Sequence, residues 1–218
     1  MTSKILSITV TALVAILIVA LGITLPILIR PFYYAQIEAL ELPRQANLTV
    51  EEIKEAYDEM MDYCLGLRPD FSAGVLDYSE SGASHFADVR ALFFVDFAII
   101  GISVIALAVI IILIKKGKLE LHRFRKRSAP FWSVVSIASI SAVIGISCAI
   151  NFHSTFVFFH RLFFIGKTNW AFDPATDPII ELLPNQFFSN CAVLIFALIL
   201  LCSIAILLYE FLPRKKSK

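Results

Sequence analysis

Four long runs of apolar residues divide this sequence, and each is long enough to cross a lipid bilayer as a helix. They cover residues 5–29, 91–114, 130–150 and 188–212. A spanning helix needs about 20 apolar residues. In an open chain, only a helix satisfies the backbone polar groups inside lipid. The sequence therefore predicts an all-α integral membrane protein with four transmembrane helices.

The composition agrees with this fold class. Hydrophobic residues make up 58% of the chain and charged residues 17%, against about 45–50% and about 25% in an average soluble domain. The run 5–29 is longer than the apolar core of a signal peptide, and no small-residue cleavage site follows it. We therefore expect this run to be retained as the first span.

Basic residues are concentrated in two short segments, and their position predicts the orientation of the chain. Residues 115–129 contain seven Lys and Arg, and residues 213–218 contain four. Basic loops stay on the cytoplasmic side, so a basic cytoplasmic loop, a basic cytoplasmic tail and a cytoplasmic N-terminus are expected. Residues 31–90, with twelve acids and four bases, and residues 151–187 are then extracellular. Attraction to anionic lipid explains the basic loop better than nucleic-acid binding does, so no nucleic-acid partner is predicted.

The extracellular segment 31–90 has the pattern of a small, mostly helical cap. Thr49 and Glu52 have capping-box spacing at a helix start, and apolar residues then recur at helical spacing as far as Cys64. Gly66 is expected to end this helix. A second helix is predicted to begin near His85 and continue into the second span.

Histidines near the membrane boundary are the main candidates for chemistry. His85, His153 and His160 all fall on the predicted extracellular side. A single histidine at an interface is more often inert than functional, but His160 lies in an unusual aromatic run. Burial in such a run lowers the pKa of an imidazole, which favours the neutral, basic form.

Two acidic residues are candidates for supporting roles. Asp88 shares a helical face with His85, and we expect it either to fix the histidine tautomer or to pair with Arg90 or water. Asp96 lies within the second span, where an ionisable group is costly and is a functional candidate by default. Its alternative role is to bond polar groups such as Asn151 or Asn190.

Three kinds of function remain open at this point. The histidines and an acid suit a zinc-dependent membrane hydrolase, although no HExxH or CxxC spacing supports one. A serine triad lacks its GxSxG elbow. A non-enzymatic membrane assembly or sensor protein would use the acidic cap as a partner surface. The third function that remains open, after the zinc hydrolase and the non-enzymatic protein, is general acid–base catalysis by histidine on a lipid-like substrate. Whether Cys148 and Cys191 approach each other is left open.

Two motifs resemble those of a known family. The stretch from Ser79 through His85 to Asp88, Val89 and Arg90 is similar to an S-x5-H-x2-D-V-[KR] motif. The stretch from Phe159 and His160 onward is similar to a second motif of the same family. That second match consists of Phe159, His160, Phe163, Phe164, Trp170, Asp173, Pro174, Asp177, Ile180, Pro184, Phe187 and Phe188. The family is the bacterial lipoprotein intramolecular transacylase, and the resemblance covers essentially the whole chain.

The resemblance implies a reaction and its residues. The enzyme would move the sn-2 acyl chain of a diacylglyceryl-cysteine lipoprotein to the α-amine of the same cysteine, giving a lyso-form product. It implies catalysis by His85 and His160 at the outer surface of the bacterial cell membrane, and assigns no role to His153. The residues then expected to bind substrate are Tyr78, Phe159, Arg161, Phe163, Phe164 and Trp170, and those expected to support the site are Asp88, Arg90 and Asp96. No metal and no other cofactor is required, and the partners are the lipoprotein substrate and membrane lipid. The oligomeric state is not implied.

Overall fold

The structure, a computed structural model, describes residues 2–212, so the predicted basic tail at 213–218 lies outside the described residues. Between residues 2 and 212 the chain is almost entirely helical. Two-residue strands β1 (Thr2–Ser3) and β2 (Glu120–Leu121) pair in parallel. The helices are α1 (Lys4–Leu28), α2 (Arg30–Ile37), α3 (Leu42–Ala46), α4 (Val50–Cys64), α5 (Glu80–Lys115), α6 (Ala129–Ile150), α7 (Phe152–Phe163), a 3-10 helix (Pro178–Leu182) and α8 (Asn185–Phe211).

Four of these helices, α1, α5, α6 and α8, are long and apolar enough to cross a membrane. Most of their apolar side chains are not buried inside the protein, which is the pattern of a surface solvated by lipid. The predicted all-α fold with four spanning helices is confirmed. The orientation of the termini remains a prediction.

Helix α5 is longer than a bilayer requires. Its 36 residues extend about 54 Å at 1.5 Å per residue, whereas the hydrocarbon core is about 30 Å thick. Part of α5 must therefore lie outside the hydrocarbon. Its first three turns carry Glu80, His85, Asp88 and Arg90, so this end is the one suited to water.

The described residues form two compact units. One comprises Thr24–Asp96 and Gly145–Leu194; it contains His85 and His160 and is called the histidine unit below. The other unit comprises the remaining described residues. Its core is a cluster of Ile18, Ile137 and Ile199.

Serine and threonine side chains join separate segments of this second unit. The fully buried hydroxyl of Ser7 accepts a hydrogen bond from the backbone N–H of His122 at 2.7 Å. Ser133 donates to the carbonyl oxygen of Thr11 at 2.8 Å, and Thr11 donates to that of Ala129 at 3.1 Å. These bonds tie α1 to α6 and to the strand after α5.

Stacked aromatic rings form the core of the histidine unit. Tyr33 of α2 stacks on Tyr57 of α4 with 3.7 Å between centroids, and Phe187 of α8 meets Tyr33 edge-on at 5.2 Å. The buried Tyr33 hydroxyl donates to the carbonyl oxygen of Leu182 at 3.0 Å, so its polar atom is satisfied. This core fixes the short helices of residues 30–64 against the 3-10 helix.

The capping box predicted at the start of α4 is confirmed. Thr49 accepts a hydrogen bond from the Glu52 N–H at 3.2 Å, and the Glu52 carboxylate accepts one from the Thr49 N–H at 2.7 Å. The helix ends at Cys64, and Gly66 follows with a φ of +77°. A residue with a side chain is strained at such an angle, which explains the glycine at this turn.

Replacing Thr49 with alanine should destabilise the protein, because the Glu52 N–H loses its acceptor. We expect a loss of about 1 kcal/mol in the free energy of unfolding, seen as a lower midpoint of thermal unfolding in detergent followed by circular dichroism. Thr49→Ser keeps the hydroxyl and serves as the control. Equal midpoints for Thr49→Ala and Thr49→Ser would contradict the stabilising role of the cap.

Candidate active site

Two histidines from distant parts of the sequence face each other in the histidine unit. His85 lies in the second turn of α5, and His160 lies near the end of α7. Their ring centroids are 5.9 Å apart, and the ring planes are inclined by 33°. Reacting atoms beside this pair would be within reach of both imidazoles, which is the geometry that acid–base catalysis requires.

Aromatic rings enclose His85. Its ring centroid lies 4.8 Å from that of Phe164 and 5.3 Å from that of Phe172. Only 5% of the residue is exposed, and its Nδ1 atom has no hydrogen-bond partner within residues 2–212. A charged imidazolium is costly to bury among aromatic rings, so these surroundings favour the neutral ring.

The environment of His160 fixes its tautomer. Its Nδ1 lies 2.9 Å from the carbonyl oxygen of Phe156. A carbonyl can only accept, so Nδ1 carries the hydrogen, and in the neutral ring Nε2 has the free lone pair. Burial lowers the pKa of His160, and the bond to Phe156 opposes that shift only partly. His160 therefore presents a basic Nε2 at neutral pH.

A carboxylate from a distant loop positions the start of α5. Ser79 caps this helix, its hydroxyl accepting from the Gly82 N–H at 2.9 Å. The Ser79 N–H in turn donates to Asp177 at 2.8 Å, and the Ser79 hydroxyl also bonds that carboxylate. Burial opposes ionisation of Asp177, but these bonds and one from Thr176 hold its pKa below the usual range.

The close approach of Asp177 leaves no room for a side chain at Gly82. A Cβ atom there would lie 2.1 Å from the Asp177 carboxylate and 3.1 Å from the Phe172 ring. The absence of a side chain at Gly82 therefore lets Asp177 pack against the first turn of α5, which positions His85 in the next turn. In the sequence Asp177 matches a motif position but has no predicted role, because its partner Ser79 is 98 residues away.

Asp88 has partners that the sequence did not indicate. Its carboxylate forms an ion pair with the Lys167 ammonium and accepts a hydrogen bond from Asn169 at 3.0 Å. Of the alternatives expected for Asp88, pairing with Arg90 does not occur, since that guanidinium lies over the Tyr63 ring at 5.1 Å. Asp88 does not hold Nδ1 of His85 either, because this atom has no hydrogen-bond partner within residues 2–212. Lys167 and Asn169 belong to the loop after α7, so Asp88 fastens this loop to α5.

Asp96 also has a partner other than those expected. It is buried, and its carboxylate accepts a hydrogen bond from the Thr24 hydroxyl of α1 at 2.6 Å. Asn190 instead donates to Gln36 at 2.6 Å, and Asn151 caps the start of α7. The suggested bonds from Asp96 to Asn151 or Asn190 are therefore wrong.

The residues predicted to bind substrate fall into two groups. Phe164 and Trp170 lie against the histidine pair, with the Trp170 ring 5.3 Å from that of His160. The others lie at more exposed positions: Arg161 on α7, Phe159 edge-on to His160 at 5.7 Å and packed on Phe163 at 4.4 Å, and Tyr78 against Phe71 at 5.0 Å.

The three outer histidines do not converge on one point. His153 is exposed, and its Nδ1 contacts the Asn185 amide at 3.2 Å. Across residues 2–212, no group of three or more His, Cys, Asp or Glu side chains is arranged to hold a metal ion. All four cysteines are free, including Cys148 and Cys191. The geometry of the described side chains gives no support to the zinc hydrolase alternative.

Comparison with known proteins decides the family. The family model of the lipoprotein intramolecular transacylase Lit matches residues 8–188. The chain belongs to this family. A solved structure of the membrane integral lipoprotein intramolecular transacylase Lit from Bacillus cereus is 30% identical to this chain and superposes with a TM-score of 0.82. The match covers 94% of this chain and 93% of the Bacillus cereus chain.

Two variant structures of the Bacillus cereus protein also match. The one with the H85R mutation is 28% identical, with a TM-score of 0.76, and covers 94% of this chain and 88% of its own. The one with the H85A mutation is 30% identical, with a TM-score of 0.73, and covers 94% and 90%. No curated protein sequence matches. The chain is therefore a multi-pass membrane enzyme of the lipoprotein transacylase family, which sets aside a non-enzymatic role.

Replacing Gly82 with alanine should impair the transacylase. The new Cβ would displace the Asp177 carboxylate from Ser79 and shift the turn that carries His85, so we expect about a tenfold or greater loss of kcat/KM. Gly101→Ala is the matched control, because a Cβ at this other α5 glycine would meet nothing within 4 Å. Equal turnover by the two variants, measured as N-acylated lipopeptide, would contradict the positioning role.

Proposed function

We propose that this transacylase moves the sn-2 acyl chain of a diacylglyceryl-cysteine lipoprotein to the α-amine of that cysteine, giving a lyso-form N-acyl lipoprotein. The observation that carries the proposal is the buried pair of His85 and His160, 5.9 Å apart between ring centroids, in a chain that belongs to the lipoprotein transacylase family.

His160 is the base that removes the first proton. The substrate amine has a pKa of about 7.7–8.0 when unperturbed, so it arrives as an ammonium and must lose a proton before it attacks. The Nε2 lone pair of His160 takes that proton, because Nδ1 is already bonded to Phe156. The freed amine then attacks the ester carbonyl carbon, forming the new C–N bond.

His85 handles the second proton transfer. Collapse of the tetrahedral intermediate breaks the bond between the acyl carbon and the glyceryl oxygen. The nitrogen must lose a second proton and the departing oxygen must gain one. His85 accepts the proton that the nitrogen loses and donates it to the departing glyceryl oxygen. The proton on His160 leaves to water, so the reaction releases one proton overall.

The aromatic surroundings supply orientation. The amine and ester belong to one molecule, but their reaction closes a medium-sized ring through the cysteine sulfur and the glyceryl carbons. Confinement against Phe164, Phe172 and Trp170, whose rings contact the histidines, restricts the alternative conformations. Orientation of this kind is worth up to several kcal/mol.

The reaction is placed at the outer surface of the bacterial cell membrane. In support of this, α5 is longer than the hydrocarbon core, and His85 lies at its charged end. The acidic segment 31–90 and the basic segment 115–129 indicate that this end is extracellular. At headgroup depth, the acyl chains of a substrate stay in lipid while its amine reaches the histidines.

Substitution of either histidine should abolish transfer. We expect His85→Ala and His160→Ala each to lower the rate by about 100-fold or more, the usual worth of positioned acid–base catalysis. The measurement is mass spectrometry of the N-terminal lipopeptide, which distinguishes an acyl chain on nitrogen from one on glycerol at the same total mass.

His153→Ala is the matched control for these variants, because this histidine contacts Asn185 rather than the pair. It should transfer acyl chains at the wild-type rate. A wild-type protein that leaves the amine free would overturn the proposed function, and an active His160→Ala variant would overturn the role of that base.

The pH dependence should reflect the buried base. The pKa of His160 lies below its ordinary value of about 6.5 because of burial. The base is neutral above that pKa, so activity is present at pH 6.5 and is lost as the pH falls further. The midpoint of the acid limb of kcat/KM should lie below pH 6.5, and a limb centred above pH 6.5 would contradict a neutral buried His160.

A further inference from the structure

The Asp88 carboxylate forms an ion pair with the ammonium of Lys167 near His85. Asp88 follows His85 by three residues, so the two side chains share a face of α5. The loop that supplies Lys167 continues to Trp170, whose ring lies 5.3 Å from that of His160. Asp88 therefore connects α5, which carries His85, to the loop that follows α7, the helix that carries His160.

Two buried side-chain atoms in this part of the histidine unit lack partners. Within residues 2–212, the only buried side-chain nitrogen or oxygen atoms without a hydrogen bond are His85 Nδ1 and Asn169 Oδ1. The Asn169 amide nitrogen donates to Asp88 at 3.0 Å, so its oxygen belongs to the same cluster. Buried polar atoms are normally paired, and an unpaired amide oxygen calls for a donor.

A primary ammonium is a donor of the right chemistry. It carries three N–H groups and a positive charge, which match a carboxylate and an amide oxygen. Lys167 satisfies the carboxylate but leaves Asn169 Oδ1 unpaired. The substrate of the proposed reaction carries such a group on its N-terminal cysteine, next to the ester that reacts.

We propose that Asp88 and the Asn169 amide oxygen form the subsite that binds the α-ammonium of the substrate cysteine, and that Lys167 occupies this subsite in the free enzyme. The inference rests on the proposed function and deepens it. The side chain of Lys167 is 49% exposed, against 21% for Asp88. Exposed ion pairs contribute little free energy, so substrate displaces this lysine readily.

The test measures kinetic constants of the full-length enzyme in detergent with a diacylglyceryl-cysteine lipopeptide bearing a free α-amine. Asp88→Asn keeps the shape and removes the charge, and we expect KM to rise about tenfold or more while kcat changes less. Lys167→Met removes the competing cation, and we expect KM to fall by about two- to fivefold.

Two matched controls accompany these variants. Asp58→Asn removes a carboxylate that is paired with Arg30 elsewhere in the histidine unit, and Lys54→Met removes a cation that lies over Tyr34. Both should leave KM at the wild-type value. Thermal unfolding of each variant identifies any that fails to fold, and Asp88→Glu, which restores the charge, should recover part of the affinity.

An N-acetylated lipopeptide separates charge recognition from loop positioning. It has no ammonium and acts as an inhibitor only, so Asp88→Asn should leave its inhibition constant unchanged. Equal losses for the free-amine substrate and the N-acetylated inhibitor would overturn the subsite. A rise in KM for Lys167→Met would overturn the displacement. Failure of the wild-type enzyme to transfer the acyl chain would instead overturn the proposed function itself.

Discussion

The backbone of four apolar segments must satisfy its own polar groups in lipid, and the rest of the structure depends on that constraint. It makes helices of α1, α5, α6 and α8. Because α5 has 36 residues, its rigid helical backbone also carries His85 beyond the apolar stretch. The membrane-spanning element is thereby the support for a site residue, and short contacts at its start, from Ser79 and Asp177, set its register.

Local features were predictable from the sequence, and the contacts between distant segments were not. The spans follow from apolar length, and the Thr49 capping box follows from residues three apart. The facing of His85 and His160 was expected only through the family resemblance. The partner of Asp88 was missed because Lys167 lies 79 residues away. Asparagines were named as possible partners of Asp96, since nothing in the spacing distinguishes them from Thr24.

The same burial that shields the histidines also creates the need for specific polar partners. His160 finds its polar partner locally, because Phe156, four residues earlier, supplies a carbonyl oxygen. Within residues 2–212, His85 Nδ1 has no such partner, and its ring packs against those of Phe164 and Phe172. An aromatic enclosure with unpaired acceptors differs from an ordinary core, since it rewards a ligand that brings hydrogen-bond donors as well as apolar surface.

In the proposed reaction, proton transfer from the substrate to His160 has a modest cost. The unperturbed ammonium has a pKa of about 7.7–8.0, and the pKa of His160 is below its ordinary range. Each unit of difference costs about 1.4 kcal/mol. Moving the ammonium from water into an aromatic enclosure lowers its pKa for the same reason that burial lowers that of the imidazole, whereas a carboxylate beside it, such as Asp88, raises that pKa. In the proposed reaction these two effects oppose each other, so the amine loses its proton to the neutral histidine more easily the further it lies from the carboxylate.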